Sequence, residues 1–139
     1  MVLEIYSKVN PELLLHMVNR KEDITYTRND ISPADKFLQV SAFRLHEGQT
    51  FKAHKHIENI RTISKTCETW IILEGSVKAL LYDIDHTLLE EVILNQGDLS
   101  LTFDGPHNYV SLSENTCVIE AKNGPFISVD KDKVLINQK

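Results

Sequence analysis

Residues 67–84 have the sequence CETWIILEGSVKALLYDI and give the clearest indication of the fold class. Two runs rich in large apolar residues flank Gly75, a composition typical of two strands joined by a tight turn. Six further runs of this kind occur along the chain, two before residues 67–84 and four after them. They are FLQVSAFRL (37–45), TFKAHKH (50–56), TLLEEVIL (87–94), DLSLTF (98–103), HNYVSL (107–112) and TCVIEAK (116–122). About eight short strands with no helical stretch between them predict an all-β fold, an antiparallel sandwich or barrel.

The N-terminal region has a different pattern. Asn10 and Pro11 precede ELLLHMVN (12–19), an order that predicts a short helix with Asn10 as its N-cap and Pro11 in its first position. Residues 21–35 are polar and without sustained periodicity, and we interpret them as an extended arm. We therefore expect one domain, with the helix and arm in residues 1–36 and the strands and a C-terminal tail in residues 37–139.

The amino-acid composition and net charge argue against some classes of function. The chain has 139 residues, a net charge of −5 and 42% hydrophobic residues, so it is long enough for one packed core. The acidic balance argues against a nucleic-acid partner, because binding phosphates requires clustered Lys and Arg. The N-terminus lacks the pattern of a signal peptide, and no run reaches the ~20 apolar residues that cross a bilayer. We expect a cytoplasmic protein with neither a membrane nor a nucleic acid as partner.

The spacing of two histidines gives the first indication of a metal-binding site. His54 and His56 occupy positions i and i+2 of the run 50–56, so on a strand both side chains would point to one face. Glu68 begins the following strand, and His107 begins a later one. Three imidazoles and a carboxylate suit one divalent transition metal ion, whether iron, manganese, nickel, cobalt or zinc. A barrel without metal, in which the histidines line a polar pocket or meet solvent, is the alternative.

Two glycine-containing motifs resemble those of the cupin superfamily. The first comprises Gly48, His54, His56, Glu68 and Gly75, and the second comprises Gly97, Phe103, Asp104, Gly105 and His107. The resemblance implies a small jelly-roll barrel that holds a metal ion through His54, His56, Glu68 and His107. The sequence departs from the motifs in two respects. Eleven residues separate His56 from Glu68, a longer gap than the family has, and Phe103 replaces a proline.

The long gap leaves a second carboxylate in competition. Glu58 lies two residues beyond His56, on the same face if the strand continues that far. We favour Glu68, because its spacing to Gly75 keeps the register of the hairpin.

Three other residues are candidates for a substrate pocket. Trp70 lies two residues past Glu68 and Tyr109 two past His107, so each is expected on the ligand-facing side of its strand. Packing in the core is the alternative for both. Arg61, within the long gap, is placed to reach an anionic substrate, although a solvated loop arginine is the commoner case.

Three functions are compatible with this pattern. The first is a metal-dependent enzyme, an oxygenase or isomerase acting on a small sugar-like or carbonyl-bearing substrate. The second is a metal-independent nucleotide-sugar isomerase or epimerase with histidines as acid and base. It draws on a resemblance of residues 75–98 to small cupins associated with bacterial surface-polysaccharide synthesis. The third is a non-catalytic barrel that binds a small ligand. We also expect a homodimer, since pairing covers exposed edge strands.

Overall fold

Strands dominate the computed structural model, which describes residues 2–136. Within that range it contains ten β-strands, one turn of 3-10 helix at Lys21–Asp23 and a short helix, α1, at Val129–Asp132. The strands are β1 (Leu3–Tyr6), β2 (Leu14–Asn19), β3 (Thr27–Asp30), β4 (Ser41–Arg44), β5 (Glu68–Glu74), β6 (Ser76–Tyr82), β7 (Leu88–Asn95), β8 (Leu99–Thr102), β9 (His107–Ser111) and β10 (Cys117–Lys122). No helix in these described residues is both long and apolar enough to cross a membrane.

Three sheets are built from these strands. The largest has the order β1-β2-β8-β5-β10, the second has the order β7-β6-β9, and β3 pairs with β4. Every pairing between named strands is antiparallel. The predicted all-β antiparallel fold is therefore confirmed. Between residues 2 and 136 the sheets are open, and no closed barrel forms.

The hairpin of β5 and β6 passes the chain from the large sheet to the three-stranded one. Gly75 makes this passage with a φ of +80°, a conformation that L side chains rarely adopt. A Cβ at this position would also lie 2.5 Å from the hydroxyl oxygen of Ser113. The glycine is therefore required on two grounds, and the sequence reading of 67–84 as two strands is confirmed.

Two apolar clusters cover the two faces of the large sheet. Ile5, Val18 and Ile72 of that sheet pack against β6 and β7 of the three-stranded sheet, where Leu81 and Leu94 are fully buried. A second set on the opposite face packs against residues 31–42; its buried members are Leu14, Met17, Ile31, Cys67, Leu99, Leu101 and Phe103. The large sheet is thus buried on both sides, and each fully buried Leu or Ile contributes about 1.5–3 kcal/mol.

The predicted N-terminal helix is wrong. Leu14–Asn19 forms β2, a strand with every residue buried, paired with β1 on one side and β8 on the other. Asn10 and Pro11 belong to the turn before it, closed by a hydrogen bond from the Leu13 N–H to the Asn10 carbonyl. A strand buried on both faces shows no alternation, so a short apolar run does not distinguish it from a helix. The N-terminal region therefore contributes to the core sheet, and part of the expected arm forms β3.

The run that carries His54 and His56 also differs from expectation. Residues 51–67 contain neither strand nor helix, and all of residues 51–66 are exposed. We call residues 51–67 the histidine segment. Because no strand forms there, the shared face expected for His54 and His56 does not follow from strand geometry. The expected C-terminal tail ends in residues 137–139, which lie outside the described residues.

Candidate functional site

A polar region lies at one end of the space between the large sheet and the three-stranded sheet. Glu68 and Trp70 enter it from β5, because alternate residues of a strand share a face. His107 and Tyr109 enter it from β9, opposite Leu81 and Ala79 of β6. The site therefore draws its side chains from both sheets, with the apolar cluster of Ile72 and Leu81 as its neighbour.

The central contact joins an imidazole to a carboxylate. His107 Nε2 lies 3.4 Å from Glu68 Oε1, with the two side chains 24% and 16% exposed. The other ring nitrogen, Nδ1, lies 3.3 Å from the Gly105 carbonyl oxygen. A carbonyl only accepts, so Nδ1 carries a hydrogen and donates it. The Glu68 carboxylate likewise only accepts, so in the imidazolium an Nε2–H donates to Oε1. In the neutral ring Nε2 presents a lone pair instead, and a metal cation would take the place of that proton.

Mutual attraction sets the ionisation of this pair. Burial alone would raise the pKa of the Glu68 carboxyl, but hydrogen bonding and attraction to His107 outweigh it and lower that pKa overall. Burial alone would lower the pKa of the His107 imidazole, but hydrogen bonding and attraction to Glu68 raise it overall. Both shifts favour a negative carboxylate beside a positive charge.

Two aromatic rings line the site next to the pair. Trp70 and Tyr109 stack with their centroids 3.9 Å apart and an interplanar angle of 9°. The Tyr109 hydroxyl lies 2.6 Å from the Ser100 hydroxyl, and the Trp70 indole N–H donates to the Glu120 carboxylate at 3.1 Å. Both polar tips are thus satisfied and the rings are held in place. Burial raises the pKa of Tyr109, so its hydroxyl stays protonated.

A lysine adds positive charge at the edge of the site. Lys122 of β10 pairs in register with Glu68 of β5, and its ammonium binds the Asp132 carboxylate at 3.0 Å. Asp132 belongs to α1, so this ion pair attaches the C-terminal helix to the strand that borders the site. The attraction of Lys122 contributes to the lowered pKa of Glu68.

A second histidine, His16, is buried nearby, and the sequence pattern predicts no functional role for it. His16 is fully buried, with Nε2 2.8 Å from the Tyr82 carbonyl oxygen and Nδ1 2.9 Å from the Thr102 hydroxyl. The carbonyl requires a hydrogen on Nε2, which leaves Nδ1 to accept from the hydroxyl. Burial lowers the pKa of His16 to about 4, so the ring is neutral. A Cβ at Gly105 would lie 3.3 Å from His16 Nε2, so this ring packs under the turn that precedes His107.

His16 would have been found from the sequence only if residues 14–19 had been read as a strand. Its register partner is then Thr102 of β8, and the pairing brings both to one face. A predicted helix at residues 12–19 has no strand register, so it does not indicate that His16 lies beside Thr102.

The remaining sequence candidates lie on the histidine segment. The rings of His54 and His56 are 5.6 Å apart, and His54 Nδ1 lies 2.9 Å from the Lys52 carbonyl oxygen. Glu58 and Arg61 are exposed on the same segment. Of the four expected metal ligands, the structure brings Glu68 and His107 together and leaves His54 and His56 outside that contact. The described residues contain no group of three or more His, Cys, Asp or Glu arranged to hold a metal ion.

Comparisons with models of protein families, with curated proteins and with solved structures find no match to this chain. The cupin resemblance therefore stays a prediction from two sequence motifs. Each motif supplies one member of the Glu68–His107 pair.

Proposed function

We propose that this chain is a cupin-like protein that binds one divalent transition metal ion and acts on a small polar substrate. Glu68 and His107 hold the ion, and His54 and His56 complete the ligand set from the histidine segment. Bound there, the ion supplies Lewis-acid polarisation of a substrate carbonyl or hydroxyl. The fold proposed with this function is the cupin jelly roll. Two facing antiparallel sheets, as observed here, are compatible with that fold.

The contact between Glu68 and His107 carries the proposal. Two donors that would each bind one ion at about 2.0–2.2 Å can lie no more than about 4.4 Å apart. Nε2 of His107 and Oε1 of Glu68 are 3.4 Å apart, within this limit. The hydrogen bond from Nδ1 to the Gly105 carbonyl is also the kind of outer contact that fixes the tautomer of a metal-ligating histidine. The donor types of these two residues, an imidazole nitrogen and a carboxylate oxygen, fit a divalent ion that replaces the proton on Nε2.

Exposed apolar side chains on the histidine segment support its recruitment to the site. Ile57 is 75% exposed and Ile60 is fully exposed, so neither contributes burial energy in this arrangement. Closing the segment onto the protein would remove apolar area from water at about 25 cal/mol per Å². That gain would offset part of the entropy lost on ordering the segment.

The aromatic pair and its surroundings indicate the kind of substrate. The stacked rings of Trp70 and Tyr109 offer an apolar wall, and the carboxylates of Glu68 and Glu120 beside them can accept further hydrogen bonds. Such a mixture suits a sugar-like or carbonyl-bearing molecule, which has apolar C–H faces and polar edges. Their part here is to orient the substrate beside the Glu68–His107 pair.

A second candidate is acid and base catalysis without metal. The raised pKa of His107 favours an imidazolium beside the Glu68 carboxylate. In that state His107 can donate a proton from Nε2 to a substrate oxygen, and Glu68 stabilises the charge. This reading corresponds to the isomerase or epimerase alternative and needs neither His54 nor His56.

Metal analysis of the full chain, purified without a metal-affinity tag, separates the two candidates. We expect about one transition metal ion per chain, lost in Glu68→Gln, His107→Gln and His54→Ala. The matched control is Glu58→Gln, a carboxylate change on the exposed segment, which should retain the ion. Loss of metal in Glu58→Gln with retention in Glu68→Gln would show that Glu58 is the ligand. A wild-type chain that takes up no ion from any of the five candidate metals would leave acid and base catalysis as the function.

A further inference from the structure

A groove separate from the Glu68–His107 contact lies between the end of the histidine segment and the chain that follows β10. It has a volume of about 430 Å³ and is bounded by residues 61–66 on one side and residues 123–132 on the other. This volume falls within the range of about 300–1,000 Å³ that is usual for small-molecule sites. The groove is thus large enough for a small metabolite.

Its lining is rich in groups that bind anions. Arg61, Lys65 and Lys131 contribute three cationic side chains, and Ser64, Thr66 and Ser128 contribute hydroxyls. Lys65 is paired with Asp104. Among the described residues, Arg61 and Lys131 have neither a hydrogen bond nor an ion pair. In a protein with a net charge of −5, two unpaired cations at one groove form a local site of positive potential.

Both walls of the groove are linked by hydrogen bonds or an ion pair to the strands that border the candidate site. On one side Asn123 fixes the chain just before Glu68: its amide donates to the Lys65 carbonyl at 3.0 Å and its side-chain oxygen accepts from the Cys67 N–H at 2.6 Å. On the other side Asp132, which lines the groove, binds Lys122, the register partner of Glu68. The groove is therefore joined to β5 and β10 at the ends of these strands that carry Glu68 and Lys122.

We propose that this groove binds the phosphate group of the substrate, with Arg61 and Lys131 as its principal ligands. A phosphate dianion matches two unpaired cations and can accept further hydrogen bonds from the neighbouring hydroxyls. The inference rests on the proposed function for the identity of the occupant as substrate. The anion site itself does not depend on whether the Glu68–His107 pair holds a metal ion.

Titration of the full-length chain with inorganic phosphate, followed by amide chemical shifts, tests the proposal. We expect saturable shifts at Ser64, Gly124 and Ser128, and an affinity about tenfold or more weaker in the double variant Arg61→Gln/Lys131→Gln. Lys133→Gln is the control for the Lys131→Gln single variant: each removes one charge from the same tail, but Lys133 lies outside the groove lining. Lys133→Gln should change the affinity less than twofold.

Three results would overturn the proposal. They are the absence of saturable shifts, equal weakening by Lys131→Gln and Lys133→Gln, which would indicate diffuse charge only, and equally tight binding of acetate, which would indicate a carboxylate ligand. Glu68→Gln separates this inference from the proposed function. If that variant loses metal and keeps phosphate, both hold. If wild type binds phosphate but no metal, the groove stands and the metal site fails. If it binds metal but not phosphate, only the groove is refuted.

Discussion

The two halves of the expected metal site sit in contrasting surroundings. Glu68 and His107 lie on β5 and β9, whose backbones are paired with neighbouring strands over most of their length. His54 and His56 lie on the histidine segment, which has no strand pairing and is exposed over residues 51–66. Sheet pairing fixes a side chain before any ligand arrives, whereas an exposed segment loses entropy when a ligand orders it. In the proposed metal site, the strands would therefore supply the preorganised ligands, and the histidine segment would supply the ligands that binding has to order.

The largest difference between the two regions should appear in stability. Ile72→Ala removes a fully buried side chain of β5 and should lower the free energy of unfolding by about 2–5 kcal/mol. Ile60→Ala removes an equal side chain that is fully exposed, and should change stability by about 0.5 kcal/mol or less. Urea denaturation of both variants without metal measures the contrast. A cost above about 1 kcal/mol for Ile60→Ala would show that the segment is already packed.

Acid sensitivity should come mainly from the strand region, through His16. Its pKa is lowered from 6.5 to about 4 in the folded chain, so between these values the unfolded chain binds more protons and stability falls as the pH drops. The full shift corresponds to about 3 kcal/mol. His107 acts in the opposite direction, because its pKa is raised and its contribution is lost as the pH rises. Removing His16 therefore isolates the acid effect.

The measurement is the pH dependence of urea stability in wild type and in His16→Gln. Wild type should lose more stability than the variant between pH 6.5 and 4, whatever the stability of each at neutral pH. Parallel curves for the two proteins would show that His16 is not kept neutral by burial.

The contrast between paired strands and the unpaired histidine segment also explains which elements and site residues could be predicted from the sequence. The strands from β5 to β10 were predicted because each combines apolar residues with a clear turn signal, such as Gly75 between β5 and β6. Glu68 and His107 were brought into one hypothesis by their spacing to glycines, and the structure brings them into contact. The sequence pattern of β2 predicts a helix because a strand buried on both faces has no alternation of apolar and polar residues. The run 50–56 alternates like a strand, but without a partner strand that local preference forms no sheet.

Proteolysis should show whether a metal ion joins the two regions. Trypsin should cut first after Lys52, Lys55 and Arg61, because these side chains are exposed on a segment without backbone pairing. If His54 and His56 bind the same ion as Glu68 and His107, saturating zinc should slow these cuts by about tenfold or more, since cleavage then requires release of the segment. A fluorogenic peptide in the same reaction corrects for any effect of zinc on trypsin itself. His54→Ala and His56→Ala should lose the protection, while Glu58→Gln should keep it. Equal cutting with and without zinc in wild type would mean that the segment takes no part in the metal site, and Glu68 and His107 would then act without it.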